Sequence, residues 1–319
     1  MWEFSATKSV RNDEVAAEMF PFTVNHVNVE HGVEMAYINT DPSRTLKDPP
    51  VVFMHGNPAY SYLWRNIIPH VSPKCRCIAL DPIDMGSSSK LPNDAYGWDN
   101  HNRYLDAFFS KMVGSGKVVL VLHDFGSLFG LSWARRHPDQ VAGLVLMEFL
   151  PPMPTWKDTG ELSEKLHNAL IGSPENLRKA IIDDNVFIEL FMQDQVIRTL
   201  SPAELDHYRK SFLDPGTRES IYEMAKIFPV ADNPPEVYQA VGNYNSWLVE
   251  NEIPKLFFWA DPGKIIPLKL SKYYSENLKN VKSVPVGHAK HYLQEDHPHL
   301  IGRKIKVWLE TAGILDEKK

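Results

Sequence analysis

Three stretches of the chain hold residue types that could act together on a small molecule. VVLVLHDFGSLFG (Val118–Gly130) runs an apolar segment into Asp124, with Gly126 just behind it and a helical pattern after that. A nucleophile presented at a sharp strand-to-helix turn has this form, except that the usual G-x-S-x-G pattern has a small residue where Leu122 stands. An aspartate that only caps the next helix would read the same way. VVFMHGNPAYSYLW places Asn57 just after another apolar run. Backbone N–H groups of Asn57 and Phe125 would then form an oxyanion hole beside the nucleophile; a polar turn would also use the Gly and Pro found there. VKSVPVGHAKHYLQEDHP brings His288 and His291 after the last apolar run. A carboxylate is ionised at neutral pH and needs no base to attack carbon, and a histidine could activate water against the ester so formed.

The elements that must position these groups alternate. Strands are predicted at Phe22–Val29, Val33–Asn39, Val51–His55, Cys75–Leu80, Val118–His123, Ala142–Phe149, Lys255–Trp259 and Val281–Val286. The first two alternate like a hairpin, and the later ones are continuous apolar runs suited to a parallel sheet buried on both faces. Helices are predicted at Ser61–His70, Asp99–Met112, Ser127–His137, Pro235–Glu250, Leu268–Leu278 and Pro298–Thr311, which makes the fold α/β with crossover connections. Between Pro151 and Pro229 the strand signal disappears. ELSEKLHNALIG, SPENLRKAIIDDNVFIELFM, SPAELDHYRKSF and TRESIYEMAKI read as short helices, and only SPAE has the capping-box spacing. Residues 151–229 are therefore expected to form a helical cap over the carboxyl ends of the strands, and 1–150 with 230–319 the core domain.

The 319 residues carry a net charge of −6 with no long basic run, which excludes a polyanion-binding surface and leaves nucleic acid and membrane out of the expected partners. Cys75 and Cys77 are the only cysteines, which fits a reducing cytoplasm. The polar N-terminus MWEFSATKSVRNDEV shows no secretory apolar core, and no apolar run reaches membrane-spanning length. His288, His291, His297 and His299 cluster in sequence, but without a ligand motif such as H-E-x-x-H, so neither metal nor cofactor is expected. The chain is expected to be a monomer or a weak homo-oligomer.

HGNPAYSYLWRNIIPHV, VVLVLHDFGSLFG, LMEFLPPMPTW, DHYRKSF, PKLFFWADPG and HYLQEDHPHLIG together resemble the haloalkane dehalogenase family, in particular its second subfamily, to which the coelenterazine luciferase of sea pansies is related. The resemblance runs from about Pro21 to about Leu309. It implies an α/β-hydrolase fold with a mostly parallel eight-stranded sheet, helices on both faces and a helical cap. It further implies displacement of halide by Asp124, then hydrolysis of the alkyl ester by water activated by His291. The substrate would be a small apolar halogenated molecule, with halide as a product. The acid partner is Glu148 by match to the second subfamily, or Asp261 by the position most α/β-hydrolases use. Asn57 would also bind halide. The cavity is expected to draw on Phe149, Pro152, Trp156, Phe187, Phe191, Leu213 and Leu293, with Ile265–Leu268 at the entrance.

Two residues depart from the family pattern. Phe125 stands where the family has a tryptophan whose indole N–H holds the leaving halide, and a phenyl ring has no such donor. Asp84, in DPIDMGSSSK, stands where the family tends to have glycine. The missing donor keeps other readings open. An epoxide hydrolase would use the same Asp–His–acid scheme with cap tyrosines such as Tyr208 and Tyr222. A luciferase-like use of the fold, or a ligand receptor, is a more distant alternative.

Overall fold

The computed structural model describes residues 20–43, 48–92, 96–159, 164–165, 168 and 173–315. The polar stretch Met1–Val15 and most of the helix expected at Glu161–Gly172 lie outside these residues. Eight strands form one sheet: β1 (Val24–Glu30), β2 (Val33–Asn39), β3 (Val51–Met54), β4 (Cys77–Leu80), β5 (Val118–Asp124), β6 (Val141–Phe149), β7 (Lys255–Pro262) and β8 (Val281–Ala289). Their order is β1-β2-β4-β3-β5-β6-β7-β8. β1, β2 and β4 pair antiparallel, and all later pairs are parallel.

The apolar character of each strand explains its depth. β3, β4 and β5 are buried at every position, as central parallel strands must be, whereas β1 at the edge alternates with exposed residues. The hairpin between β1 and β2 turns on His31 and Gly32, both at positive φ, the geometry that matches strand twist. Helices Trp98–Met112, Phe125–Arg136 and Pro235–Glu250 pack on one another in sequence order, while the turn Ile68–Val71 packs on helix Pro298–Thr311.

Two expected elements differ. The helix predicted over Ser61–His70 is a 3-10 turn, Ser61–Trp64, followed by a separate short helix, Ile68–Val71. Pro69 cannot donate to the carbonyl of Arg65, so one continuous helix is excluded. SPENLRKAIIDDNVFIELFM splits into helix Pro174–Ile182 and a wider helical turn, Phe187–Met192, with Asn185 at φ 50° at the break. Between β6 and helix Pro235–Glu250 every described element is helical. Among the described residues no helix is long and apolar enough to cross a membrane.

Candidate active site

β5 ends on Asp124, whose φ of 50° and ψ of −131° break the strand and start helix Phe125–Arg136 directly. The turn requires small neighbours. A Cβ on Gly126 would stand 2.2 Å from the carbonyl oxygen of Met54, and one on Gly56 would stand 2.0 Å from Asp124 Oδ1. Leu122, the bulky residue at a position usually small, finds its space elsewhere: its Cδ2 lies 2.5 Å from where a Gly130 Cβ would be, so Gly130 accommodates it. Ser127 locks the turn, donating from Oγ to the Asp124 carbonyl at 2.5 Å and accepting from the Leu150 N–H at 2.9 Å.

The Asp124 carboxylate is buried. Its Oδ1 accepts the Asn57 N–H at 2.9 Å, and the Phe125 N–H also bonds to the carboxylate. Burial raises its pKa above the ordinary carboxylate value, against the pull of His291 and of these two N–H groups. Oδ2 faces His291 Nε2 across 3.6 Å, beyond hydrogen-bond reach.

His291 sits in the loop after β8, and its Nδ1 lies 3.2 Å from Glu148 Oε2. An ionised carboxylate only accepts, so Nδ1 carries the proton and Nε2 turns a lone pair toward Asp124. Glu148 is the penultimate residue of β6, at φ 42°. Its carboxylate accepts the N–H groups of Lys264 at 3.2 Å, Ile265 at 2.7 Å and Ile266 at 3.3 Å. This backbone nest stabilises a buried negative charge. Asp261 is exposed, and its carbonyl, not its carboxylate, meets His288 Nδ1 at 2.9 Å. The carboxylate that reaches His291 is thus Glu148.

A cavity of about 110 Å³ opens beside Asp124. Asn57, Asp124, Phe125, Lys264, Ile265 and His291 form its floor and side. Trp156, Phe187, Phe191, Gln195, Ala225 and Phe228, with Leu177 and Ile181, close it from the helical segment. Of the expected lining residues, Trp156, Phe187 and Phe191 stand on this wall. Four do not. Phe149 packs edge-on against Tyr274 in the core, because it points away from the side of β6 that carries Glu148. Leu293 is fully buried behind His291, Leu213 is 69% exposed, and Pro152 does not reach the cavity. The pattern of apolar residues cannot separate a cavity wall from a core, so Phe228 carried no signal in the sequence, nor did the polar Gln195, while Ile265, expected at the entrance, does line the cavity.

The Phe125 ring lies 5.9 Å from Phe228, which lies 6.2 Å from Trp156, so aromatic rings form one wall of the cavity. Asn57 Nδ2 is 3.4 Å from the Ile221 carbonyl. No tyrosine lines the cavity among the described residues. Tyr208 donates to Glu295 deep in the protein, and Tyr222 lies under Arg178 and Lys226. The histidines that cluster in sequence also separate: His297 Nε2 meets the His288 carbonyl at 3.0 Å, and His299 pairs with His70 at 2.9 Å. Among the described residues no three His, Cys, Asp or Glu side chains are grouped to hold a metal.

Residues 49–298 match the α/β hydrolase fold family. A haloalkane dehalogenase of Bradyrhizobium diazoefficiens is 36% identical over 294 residues, covering 89% of this chain and 92% of that protein. One of Mesorhizobium japonicum is 37% identical over 285 residues, covering 89% and 90%. Among solved structures, haloalkane dehalogenase DbeA from Bradyrhizobium elkani has a TM-score of 0.84 at 35% identity, covering 92% of this chain and 98% of that one. Haloalkane dehalogenase DatA from Agrobacterium tumefaciens has a TM-score of 0.81 at 28% identity, covering 90% and 96%.

Proposed function

The chain belongs to the haloalkane dehalogenase family, and from that premise we propose that Asp124 is its nucleophile, His291 its base and Glu148 the acid that holds the base. The protein is a hydrolase that cleaves carbon–halogen bonds, taking a halogenated substrate and releasing halide. The observation that carries the assignment of roles is the line Asp124–His291–Glu148, with Asn57 N–H on the far oxygen of Asp124.

The two carboxylate oxygens have different tasks. Oδ1 is engaged by the Asn57 N–H, so Oδ2 attacks the halogen-bearing carbon; the carbon–halogen bond breaks and halide leaves with the electron pair. Oδ1 becomes the ester carbonyl oxygen, already seated in the oxyanion hole of Asn57 and Phe125 N–H groups. His291 Nε2 then takes a proton from water as the water oxygen attacks the ester carbon, and returns it to the departing alkoxide. The products are alcohol, halide and one proton. Glu148 fixes the tautomer and stabilises the imidazolium between these transfers.

Halide leaves against Asn57 Nδ2 and the edge of the Phe125 ring, whose partial positive character is a weaker aid than an indole N–H. Trp156, Gln195 and Lys264, whose side chains carry N–H groups, also line the cavity. The epoxide hydrolase alternative loses its support because Tyr208 and Tyr222 lie away from the cavity. Residues 151–229 act as a cap over the core formed by 1–150 and 230–319. Cys75 and Cys77, both buried, suit a reducing cytoplasm. Bromide and proton release from 1-bromobutane and 1,2-dibromoethane tests the assignment. Equal yields of both ions that vanish in Asp124→Asn are expected; release that persists in the variant would overturn it.

A further inference from the structure

The site joins three segments: the end of β3 with Asn57, the end of β5 with Asp124, and the loop after β8 with His291. Hydrogen bonds link all three. Asn57 N–H donates to Asp124 Oδ1 at 2.9 Å. The Tyr292 hydroxyl donates to the Asn57 carbonyl at 3.3 Å. His123 Nε2 lies 3.0 Å from the His291 carbonyl. A carbonyl only accepts, so His123 Nε2 carries the proton, and Nδ1 has no hydrogen-bond partner. His123 is fully buried; burial and the neighbouring His291 push its pKa well below the ordinary value, so it stays neutral. Its ring centroid stands 4.4 Å from that of His291 and 5.5 Å from that of Tyr292.

His123 is bonded to Asp124 along the chain, and His291 to Tyr292. The three hydrogen bonds therefore close a circuit through Asp124, Asn57, Tyr292, His291 and His123. Cutting one link removes one of the two ties between the His291 loop and β5 while leaving Asp124 on its strand. We propose that His123 and Tyr292 are positioning residues for ester hydrolysis: they hold His291 Nε2 and the Asn57 N–H in register with the Asp124 carboxyl carbon. Halide displacement needs only Asp124, the substrate and a place for the leaving group. Ester hydrolysis needs the base, the water and the oxyanion hole aligned at once, so it is the step that depends on the circuit.

This inference rests on the assignment of Asp124 as nucleophile and His291 as base. Rapid-quench turnover of 1-bromobutane, with bromide and the intact protein mass followed together, separates the two steps. His123→Phe keeps a buried ring and loses the donor; His123→Gln keeps an N–H near the same place; Tyr292→Phe removes one oxygen. His123→Phe is expected to form bromide at the wild-type rate and to lose the butyl ester about 10-fold more slowly, so that the ester accumulates; Tyr292→Phe, whose partner Asn57 also faces the halide, is expected to slow ester loss more than bromide formation. His123→Gln restores part of the loss. Equal slowing of both steps would mean general loosening and would overturn the proposal, as would ester decay at the wild-type rate. Should His123→Phe not fold, Tyr292→Phe carries the same comparison. A wild-type protein that yields neither bromide nor an alkyl mass on Asp124 would instead remove the assigned roles, and the circuit's role with them.

Discussion

Glu148 holds His291 by one oxygen at 3.2 Å and is itself held by three consecutive backbone N–H groups, from Lys264 to Ile266. Glu148→Gln would place an amide N–H among those donors and weaken the preference for a proton on Nδ1. The expected result is a loss of about 10³–10⁴ in ester hydrolysis, with bromide displacement much less affected. Asp261→Asn is expected to leave both steps unchanged, since Asp261 is exposed. Single-turnover kinetics of the two variants would show which carboxylate acts; a large loss in Asp261→Asn would reverse the assignment.

The position of Asp124 works against the stability of the fold. Burial raises its pKa, so the ionised form required for attack is disfavoured. The acid limb of the displacement step should therefore lie above the ordinary aspartate value of about 3.9. Asp124→Asn keeps an acceptor for the Asn57 N–H and turns an N–H toward the lone pair on His291 Nε2. Asparagine also tolerates positive φ. The variant should be inactive and should melt higher than the wild type at pH 7.5; a lower Tm in calorimetry would contradict this account.

In the proposed mechanism Phe125 supplies an N–H to the oxyanion hole but no side-chain donor to the leaving halide. A preorganised donor of that kind contributes roughly 2.7–4 kcal/mol where charge develops. The deficit should weigh most on chloride, the poorest leaving group of the series chloride, bromide, iodide. Phe125→Trp, with Phe228 yielding to the larger ring, should raise kcat/KM for 1-chlorobutane more than for 1-iodobutane and tighten chloride binding. Equal gains on both substrates, or none, would mean that another cavity N–H already serves the halide.

The sheet was readable from the sequence because apolar runs define buried strands, and Asn57, Asp124, Glu148 and His291 stand at or just beyond the ends of β3, β5, β6 and β8. β7 extends three residues beyond Trp259 and β8 three beyond Val286, because backbone pairing at a strand end does not require apolar side chains. The nest around Glu148 left no sequence signature, since it consists of main-chain N–H groups. The Leu122 departure made sense only beside Gly130, eight residues away in the following helix. The cavity wall was the least legible feature: Phe149 and Phe187 are both aromatic residues flanking an expected pocket, yet only the second faces it.

Asp84 sits at φ 71°, fully buried, where glycine would meet no steric cost. Burial pushes its carboxyl up to about 6, while the Leu91 N–H at 2.5 Å and nearby Lys90 pull the other way. Its carbonyl accepts Ser220 Oγ at 3.2 Å, so the strain lies at a contact with the helical segment. With the folded pKa raised, stability is full below about 4 and is lost as pH rises through 6, by about 3 kcal/mol. Asp84→Asn should therefore raise Tm at pH 7.5 and lose that advantage near pH 4. A gain independent of pH in thermal melts would assign the effect to backbone relief alone.

Glu295 lies at the centre of a buried cluster that ties the His291 loop to the helical segment. Arg65 bonds to both its oxygens, at 2.7 and 2.9 Å; Arg198 donates to it at 2.6 Å and to Glu204 at 2.8 Å; Tyr208 donates to it as well. Burial would raise the pKa of Glu295, but the two guanidinium groups outweigh it and bring it down to about 2. With the folded pKa depressed, the contribution to stability is present above about 4.5 and disappears as pH falls toward 2. Glu295→Gln leaves two cations facing one carboxylate, which should cost about 3–5 kcal/mol. Arg65→Leu combined with Glu295→Leu leaves Arg198 and Glu204 as a neutral pair, and should be less destabilised than Glu295→Leu alone. Denaturant melts of the single and double variants at pH 7 and pH 4 test both parts. A double variant no more stable than Glu295→Leu would mean that the cluster is held by packing around Tyr62 and Tyr208 rather than by its charges.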